Sequence, residues 1–204
     1  MSSDKKSLEV GYYHVPPGNI ANTVICMEMR EKPILDINFD KYPNLSLERV
    51  QNPDLKQYRD FYREVGANWL WDKHLALSDE KLLELLNNPL IETYILMEQS
   101  VPVGLLQLDF EEQGECEIVY FGIIAGKIGK GMGRYLMYKA FELAWNHPIK
   151  RLWLHTCNFD SPDAVGIYQH FGFRAYAYMI EVVPDARLKG IIPRTAAPHV
   201  PLIE

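Results

Sequence analysis

The sequence predicts an α+β protein built on a mixed, largely antiparallel central sheet that is flanked by helices. One observation is a set of three strand-like runs separated by short polar turns, which indicates an antiparallel meander: 92–99, 102–110 and 115–124. A second observation is a strand–helix–strand segment after them, which should place two strands parallel in the same sheet. The 204 residues are enough for one sizeable hydrophobic core, so we expect a single domain.

The first half of the chain predicts one strand and two helices. Residues 22–29 are rich in β-branched and apolar side chains and form the predicted first strand. Residues 31–50 are interrupted by two prolines and receive no assignment. Residues 53–71 begin with a proline and carry apolar side chains at helical spacing, namely Leu55, Tyr58, Tyr62 and Val65. A second helix is predicted over 78–88, with Ser78 as its N-cap.

The second half predicts a long amphipathic helix over 133–146, followed by a strand, a short helix and a last strand. The apolar face of the long helix consists of Leu136, Met137, Ala140, Leu143 and Ala144, with Lys139 and Glu142 opposite. The later elements are predicted over 151–157, 161–172 and 174–183. In the short helix, Ser161 is expected to be the N-cap, Pro162 to take the first helical position and Gly172 to end it.

These elements divide the chain into three parts. Residues 1–18 are expected to form a mobile N-terminal segment, and residues 19–190 a single domain. Residues 191–204 contain three prolines and are expected to form a tail that lies on the surface.

Composition narrows the class of protein. The net charge of −6 argues against a general nucleic-acid or anionic-membrane surface, so neither is expected as a partner. Three cysteines without a CxxC pair, and a polar N-terminus, predict a soluble cytoplasmic protein with reduced thiols. Cys116 and Cys157 stand in no evident nucleophile motif and are expected to be small strand residues.

The stretch GKIGKGMGRYLM, from Gly126 to Met137, places four glycines and two lysines within eight residues ahead of a predicted helix. A glycine-rich turn before a helix N-terminus can hold an anion through backbone N–H groups, although a solvated turn is the alternative interpretation. The P-loop pattern fails because Met132 and Gly133 stand where a lysine and a serine or threonine are needed. The dinucleotide pattern fails because its last glycine spacing is wrong.

Two motifs in the correct order resemble those of the GNAT family of N-acetyltransferases. The stretch IGKGMGRYLM resembles the family's acyl-CoA-binding loop, with Ile128, Gly131 and Gly133 at its first, fourth and sixth positions. Residues 158–173 resemble its second signature, an asparagine followed by a helix that carries a tyrosine and ends in Gly-Phe. The resemblance is close over about residues 90–180 and looser before them.

The resemblance implies a GNAT-type acyl-CoA N-acyltransferase fold, with acetyl-CoA bound as the acyl donor and no metal. The implied acetyl-CoA site consists of Gly122, Ile123, Ile128, Gly129, Lys130, Gly131, Met132, Gly133, Arg134 and Asn158. Ile128 departs from the family pattern, which has glutamine or arginine there, so backbone N–H groups are expected to grip the pyrophosphate. Lys127, Lys130 and Arg134 are expected to supply positive charge.

The resemblance also implies an acetyl group passed directly to a primary amine in a ternary complex. Glu117 is the leading candidate for the base, expected on the same strand face as Val119 and Phe121, and His155 is the alternative. Tyr168 matches the family position from which a phenol protonates the CoA sulfur. A backbone N–H near Gly122 and Ile123 is the expected donor to the oxyanion.

The amine acceptor is a small molecule or a peptide, and its groove is expected to be lined by the first helices. The expected acceptor-binding residues are Tyr62, Trp69, Trp71 and His155, with Tyr58 and the carboxylates Asp60, Glu64 and Asp72 nearby. Aromatic walls and carboxylates suit a cationic amine. The apolar last strand is compatible with a homodimer. The alternative function is a catalytically silent acyl-CoA sensor or interaction module of the same fold.

Overall fold

The computed structural model describes residues 7–34 and 37–204, which form a seven-stranded sheet with helices on both faces. The strands are β1 (Asn19–Met29), β2 (Leu45–Arg49), β3 (Ile91–Glu98), β4 (Val101–Asp109), β5 (Glu115–Ile123), β6 (Arg151–Cys157) and β7 (Arg174–Pro184). The helices are α1 (Leu55–Gly66), α2 (Lys73–Ala76), α3 (Asp79–Asn87), α4 (Met132–Ala144) and α5 (Ala164–His170). Within these described residues, no helix is both long and apolar enough to cross a membrane.

The strand order is β2-β3-β4-β5-β6-β1-β7. Neighbouring strands are antiparallel except β5 and β6, which are parallel and joined through α4. The predicted fold class is therefore confirmed, as are the antiparallel meander and the parallel pair.

The first strand of the chain lies inside the sheet, between β6 and β7. Cys26 of β1 pairs with His155 of β6, and Asn22 of β1 pairs with Glu181 of β7. β1 thus begins three residues earlier than predicted and joins the second half of the chain into one continuous sheet. This placement brings side chains from both ends of the sequence to one face of the sheet.

Two elements of the structure have no counterpart in the prediction. β2 lies within the unassigned residues 31–50 and forms one edge of the sheet, where only one of its faces is covered. α2 is a single turn after Trp71, too short to show a helical period in the sequence.

Side-chain caps explain where α1 and α3 begin, whereas α2, α4 and α5 start without one. The Ser78 hydroxyl accepts a hydrogen bond from Lys81 N at 3.4 Å, which confirms it as the N-cap of α3. The expected cap at Ser161 is wrong, because its hydroxyl accepts from Asp163 N, only two residues on. That bond closes a local turn rather than a helical one, and α5 begins at Ala164, after Asp163 as N-cap.

Two hydrophobic cores hold the helices against the sheet. The α4 core contains the predicted apolar face of that helix, with Leu136, Met137 and Ala140 fully buried. The α1 core, on the other face of the sheet, contains Tyr58 and Tyr62 together with Leu82 of α3. At roughly 1.5–3 kcal/mol for each large apolar side chain buried, these two layers dominate the stability of the fold.

Residues 191–204 lie only partly on the surface, as eight of the fourteen are exposed. Ile192, Ala197 and Val200 are buried and pack against residues of the loop before α2 and of the segment after β6. The buried Arg187 guanidinium, paired with Asp185 at 2.7 Å, donates to the carbonyls of Ala196, Val200 and Pro201. These bonds fix the tail to the body of the domain.

At the other end, residues 7–17 are exposed and form neither strand nor helix. Residues 1–6 of the predicted mobile segment lie outside the described residues. Its mobility stays a prediction.

Candidate active site

The site begins where β5 separates from β6. The parallel pairing runs from Glu115 with Arg151 to Ile118 with Leu154, whereas β5 remains paired with β4 as far as Ile123. Among the described strands, only β4 therefore accompanies residues 119–123. The separation opens a wedge between the two strands, at the carboxyl ends of the parallel pair.

A bulge in β5 accompanies the separation. Gln107 pairs with Tyr120 and Leu108 with Ile118, so Val119 is an extra residue in the ladder. As a consequence Val119 packs on the α1 core and Phe121 on the α4 core. The expectation that Phe121 shares a face with Glu117 and Val119 is thus wrong, because the bulge reverses the alternation between them.

The glycine-rich loop leads into α4 at the edge of this wedge. Gly129 and Gly131 have φ of +82° and +81°, in the left-handed region that favours glycine. Gly131 is the N-cap of α4, so the N–H groups of Met132 and Gly133 lie in its first turn and lack intrahelical acceptors. A Cβ built at Gly133 would meet no atom within 4 Å. The arrangement is an open, electropositive backbone cradle for an anion.

A groove of about 790 Å³ runs between this loop and α5. Seven of the predicted acetyl-CoA-binding residues line it, namely Gly122, Ile123, Ile128, Gly129, Gly131, Gly133 and Arg134. Its opposite wall is α5, with Ala164, Gly166 and Ile167. The sequence motif and the groove therefore coincide at the backbone of the loop.

Three predicted members lie outside the groove lining. The Met132 side chain is buried in the α4 core, so only its backbone N–H can serve a ligand. Lys130 is exposed and lies outside the lining of the groove. The Asn158 side chain lies outside the groove lining. It accepts a hydrogen bond from Thr23 N at 2.6 Å, which connects the end of β6 to β1.

The three basic side chains near the loop differ in position. Arg134 lines the groove, with its guanidinium 5.5 Å from the centroid of the Tyr138 ring. Lys127 forms an ion pair with Glu98, so part of its charge is already compensated. Of these three side chains, only Arg134 belongs to the described lining of the groove.

A second cavity, of about 420 Å³, adjoins the groove; it is called the acceptor cavity after the predicted acceptor-binding residues that line it. Trp69, Trp71 and His155 line it, as expected, but Tyr62 does not. Tyr62 is fully buried in the α1 core, where its ring stacks on His74 at 4.7 Å between centroids. Burial raises its pKa well above the usual value. The predicted role of Tyr62 in binding the acceptor is wrong, because helical spacing placed it on the inner face of α1.

The two candidate bases contact each other. His155 Nδ1 lies 2.9 Å from Oε1 of Glu117. Of the two, His155 belongs to the described lining of the acceptor cavity and Glu117 does not. Because a carboxylate only accepts, Nδ1 must carry a proton for this hydrogen bond to form, and in the neutral imidazole Nε2 is then an acceptor.

Five residues line both cavities and define their junction: Trp69, Trp71, Phe121, Asp160 and Tyr168. Burial, together with the nearby Asp160 carboxylate, raises the pKa of the Tyr168 phenol far above its usual value. The phenol is therefore protonated at neutral pH. Asp160 escaped the sequence analysis; its carboxylate accepts from Thr156 Oγ1 and Cys157 N, both at 2.9 Å.

Gly122, in the groove, and Cys157, in the acceptor cavity, lie on either side of this junction. A Cβ at Gly122 would lie 2.7 Å from Val65 Cγ1 and 3.0 Å from the Trp71 ring, so only glycine admits this packing. Cys157 lines the acceptor cavity, but burial and then the Asp160 carboxylate raise the pKa of its thiol to about 11. Such a thiol is a weak nucleophile at neutral pH, in agreement with the expectation of a structural role.

The carboxylates of the acceptor cavity differ from those expected. Asp60 is exposed and forms ion pairs with Lys56 and Arg63 on α1, and Glu64 is also exposed. Asp72 does line the cavity, where burial raises the pKa of its carboxyl. Glu181, from β7, lines it as well and was not predicted.

Comparisons with known proteins point to one family. A sequence model of the Acetyltransferase (GNAT) family matches residues 55–173, more than half of the chain. A search of curated proteins finds no significant match.

Solved structures share the fold at low sequence identity. A conserved protein of unknown function from Staphylococcus epidermidis ATCC 12228 is 13% identical, with a TM-score of 0.56. The match covers 82% of this chain but only 63% of the length of that protein. PaiA N-acetyltransferase from Thermoplasma acidophilum, in complex with coenzyme A, is 17% identical, with a TM-score of 0.53 over 69% of this chain and 98% of that one. The aminoglycoside acetyltransferase meta-AAC0020, from an uncultured soil metagenomic sample, is 17% identical, with a TM-score of 0.53 over 66% and 90%.

Proposed function

The chain belongs to the GNAT acetyltransferase family, and on that premise we propose that it transfers the acetyl group of acetyl-CoA to a primary amine by direct attack in a ternary complex. The observation that carries this proposal is the meeting of the two cavities at Tyr168 and Phe121. One cavity carries the anion cradle and the other carries the candidate base. A thioester and an amine that entered from the two sides would meet at the junction.

The groove residues fit a CoA pyrophosphate. Backbone N–H groups at the start of α4 donate to its oxygens, and Arg134 adds charge from the groove wall. The pantetheine arm then lies between the loop and α5, and the acetyl thioester reaches the wedge between β5 and β6. Acetyl-CoA supplies the acetyl group as an activated thioester and the acceptor supplies the attacking amine; the chain supplies the base, the acid and the donor to the oxyanion.

His155 is the proposed base, and Glu117 is its positioning residue. An alkylammonium has a pKa near 10 and must lose a proton before its nitrogen can attack. With Nδ1–H donated to Glu117, His155 Nε2 takes that proton, directly or through one water. This reverses the order of the sequence-based expectation, since His155 and not Glu117 lines the acceptor cavity.

Backbone N–H groups of β5 serve the oxyanion. Ile124 N donates to Val103 O at 3.0 Å, on the β4 side. By alternation along the strand, the N–H of Ile123 points to the opposite side, toward the groove that Ile123 lines. It donates to the carbonyl oxygen as negative charge develops there.

Tyr168 is the proposed acid. As the nitrogen–carbon bond forms and the carbon–sulfur bond breaks, the phenol donates its proton to the departing sulfur. The proton released by the acylated nitrogen then restores the phenol. The raised pKa of Tyr168 keeps it in the donating form at neutral pH.

The test combines binding and turnover. Calorimetric titration with acetyl-CoA is expected to show saturable binding, and a panel of primary amines is expected to release free CoA. Glu117→Gln is expected to lower kcat and change the pH–rate profile, whereas His155→Gln should remove the limb that reports the base. Binding without turnover on any amine would instead support a silent acyl-CoA sensor, and profiles that overlay wild type would remove the pair from the mechanism.

A further inference from the structure

One buried polar atom in the acceptor cavity has no protein partner within the described residues. Asn22, on β1, is 5% exposed and lines the cavity, and its Oδ1 accepts no hydrogen bond from the described chain. An unsatisfied buried acceptor costs about 1–3 kcal/mol. An unsatisfied acceptor in the wall of a cavity indicates that a ligand bound in the cavity supplies the hydrogen-bond donor.

The orientation of this amide follows from its neighbour. Asn22 Nδ2 donates to Oε2 of Glu181 at 2.9 Å, across the β1–β7 pairing. A carboxylate accepts and cannot donate, so a flipped amide would set two acceptors against each other. The interaction with Glu181 therefore fixes the amide orientation in which Oδ1 is the atom without a hydrogen-bond partner.

The charges around Asn22 favour a cation. Glu181 and Asp72 both line the cavity; burial raises the pKa of Asp72, the charges of Lys73 and Lys189 lower it, and repulsion from Glu181 raises it. A bound cation would offset this repulsion. Lys73 and Lys189 also line the cavity, but both are exposed, and long flexible side chains can extend into water. An anion has no hydrogen to donate, so it would leave Asn22 Oδ1 without a hydrogen-bond partner.

Building on the proposed acetyl transfer, we propose that Asn22, Glu181 and Asp72 form a second cation subsite that anchors a distal ammonium group of a diamine acceptor. The other amino group of the same molecule then lies at the junction, beside His155 and Tyr168. The acceptor class is thus a long flexible molecule with a cation at each end.

The strand register gives the length of this acceptor. His155 pairs with Cys26, which lies four residues along β1 from Asn22, and the three side chains share one face of the sheet. Four residues of strand span about 13 Å, and subtracting a hydrogen bond of about 3 Å at one or both ends leaves about 7–10 Å between the two nitrogens. We expect 1,6-diaminohexane and 1,8-diaminooctane to fit, and 1,4-diaminobutane to be too short.

The experiment measures binding separately from turnover. Calorimetry with saturating CoA, which permits a ternary complex without reaction, compares 1,8-diaminooctane, 1-aminooctane and 8-aminooctanoate. Wild type is expected to bind the diamine about ten-fold more tightly than the monoamine, the size of one charge-assisted hydrogen bond. Asn22→Leu and Glu181→Gln should each remove this preference while the Kd of 1-aminooctane stays unchanged.

Thr23→Val is the matched control, because Thr23 is exposed on the opposite face of β1 and should keep the preference. Glu181 is exposed, so Glu181→Gln tests the subsite even if Asn22→Leu folds poorly. Equal affinity for monoamine and diamine, a preference that survives Glu181→Gln, or tighter binding of 8-aminooctanoate would each overturn the subsite. A preference for the diamine without any acetylation would support the subsite and refute the proposed acetyl transfer. Acetylation without a preference for the diamine would support the acetyl transfer and refute the subsite.

Discussion

Replacing Gly133 by valine tests whether the backbone of the glycine loop holds acetyl-CoA. Gly133 lies in the first turn of α4, lines the groove, and has open space where a side chain would begin. A valine there would project into the groove and keep a phosphate away from the N–H groups of the helix terminus. Gly131 is a poorer choice, since its φ of +81° would strain any side chain and confuse binding with folding.

The expected loss can be worked out from hydrogen bonds. Separating a pyrophosphate from two backbone N–H groups forfeits about 1.5–3 kcal/mol for each. Together this corresponds to a loss of acetyl-CoA affinity of about 100-fold or more. Folding should not suffer, because valine is slightly better than glycine inside a helix, by a few tenths of a kcal/mol.

The assay is calorimetric titration with acetyl-CoA, together with urea unfolding of the same preparations. Gly126→Val is the matched control: Gly126 belongs to the same loop, has open space and an ordinary φ, but lies outside the groove lining. We expect Gly126→Val to bind like wild type. An unchanged Kd for a folded Gly133→Val protein would refute the proposed grip by the loop backbone.

Three further predictions concern chemistry and stability. Tyr168→Phe should lower kcat about 10²- to 10⁴-fold with little change in acetyl-CoA Kd, and an unchanged kcat would exclude the phenol as the acid. Burial lowers the pKa of His74 to about 4, below its unfolded value of about 6.5, so the unfolded state binds more protons between these values. The contribution of His74 to the free energy of unfolding is therefore fully present above pH 6.5 and falls as the pH drops toward 4, by about 2 kcal/mol between pH 7 and pH 4.5. Urea unfolding of the His74→Gln protein should lack this part of the pH dependence. Arg187→Ala should lower the free energy of unfolding by about 3 kcal/mol, because it leaves the buried Asp185 carboxylate unpaired, whereas Arg194→Ala, at an exposed ion pair, should cost less than about 1 kcal/mol. Equal losses for the two arginine variants would contradict the role given to Arg187 in holding the tail.

Features encoded locally could be predicted from the sequence. The glycine loop and the tyrosine of α5 are short motifs, and the structure places both beside one groove. The strand–helix–strand crossover also follows from local pattern, since a helix between two strands implies parallel pairing.

Features that depend on long-range pairing escaped prediction. Asn22 and Glu181 are 159 residues apart and meet only because β1 lies between β6 and β7. The reversal at Phe121 comes from one bulge residue, which no alternation pattern reveals. Tyr62 illustrates the remaining ambiguity, since helical spacing identifies an apolar face without saying whether it faces a core or a ligand.

Product analysis after incubation with acetyl-CoA and 1,8-diaminooctane tests the central claim most directly. Mass spectrometry should find the monoacetylated diamine and an equal amount of free CoA, both formed by wild type and strongly reduced in the Tyr168→Phe protein. A protein that binds acetyl-CoA but forms no acetylated product from this diamine or from any other primary amine would contradict the account.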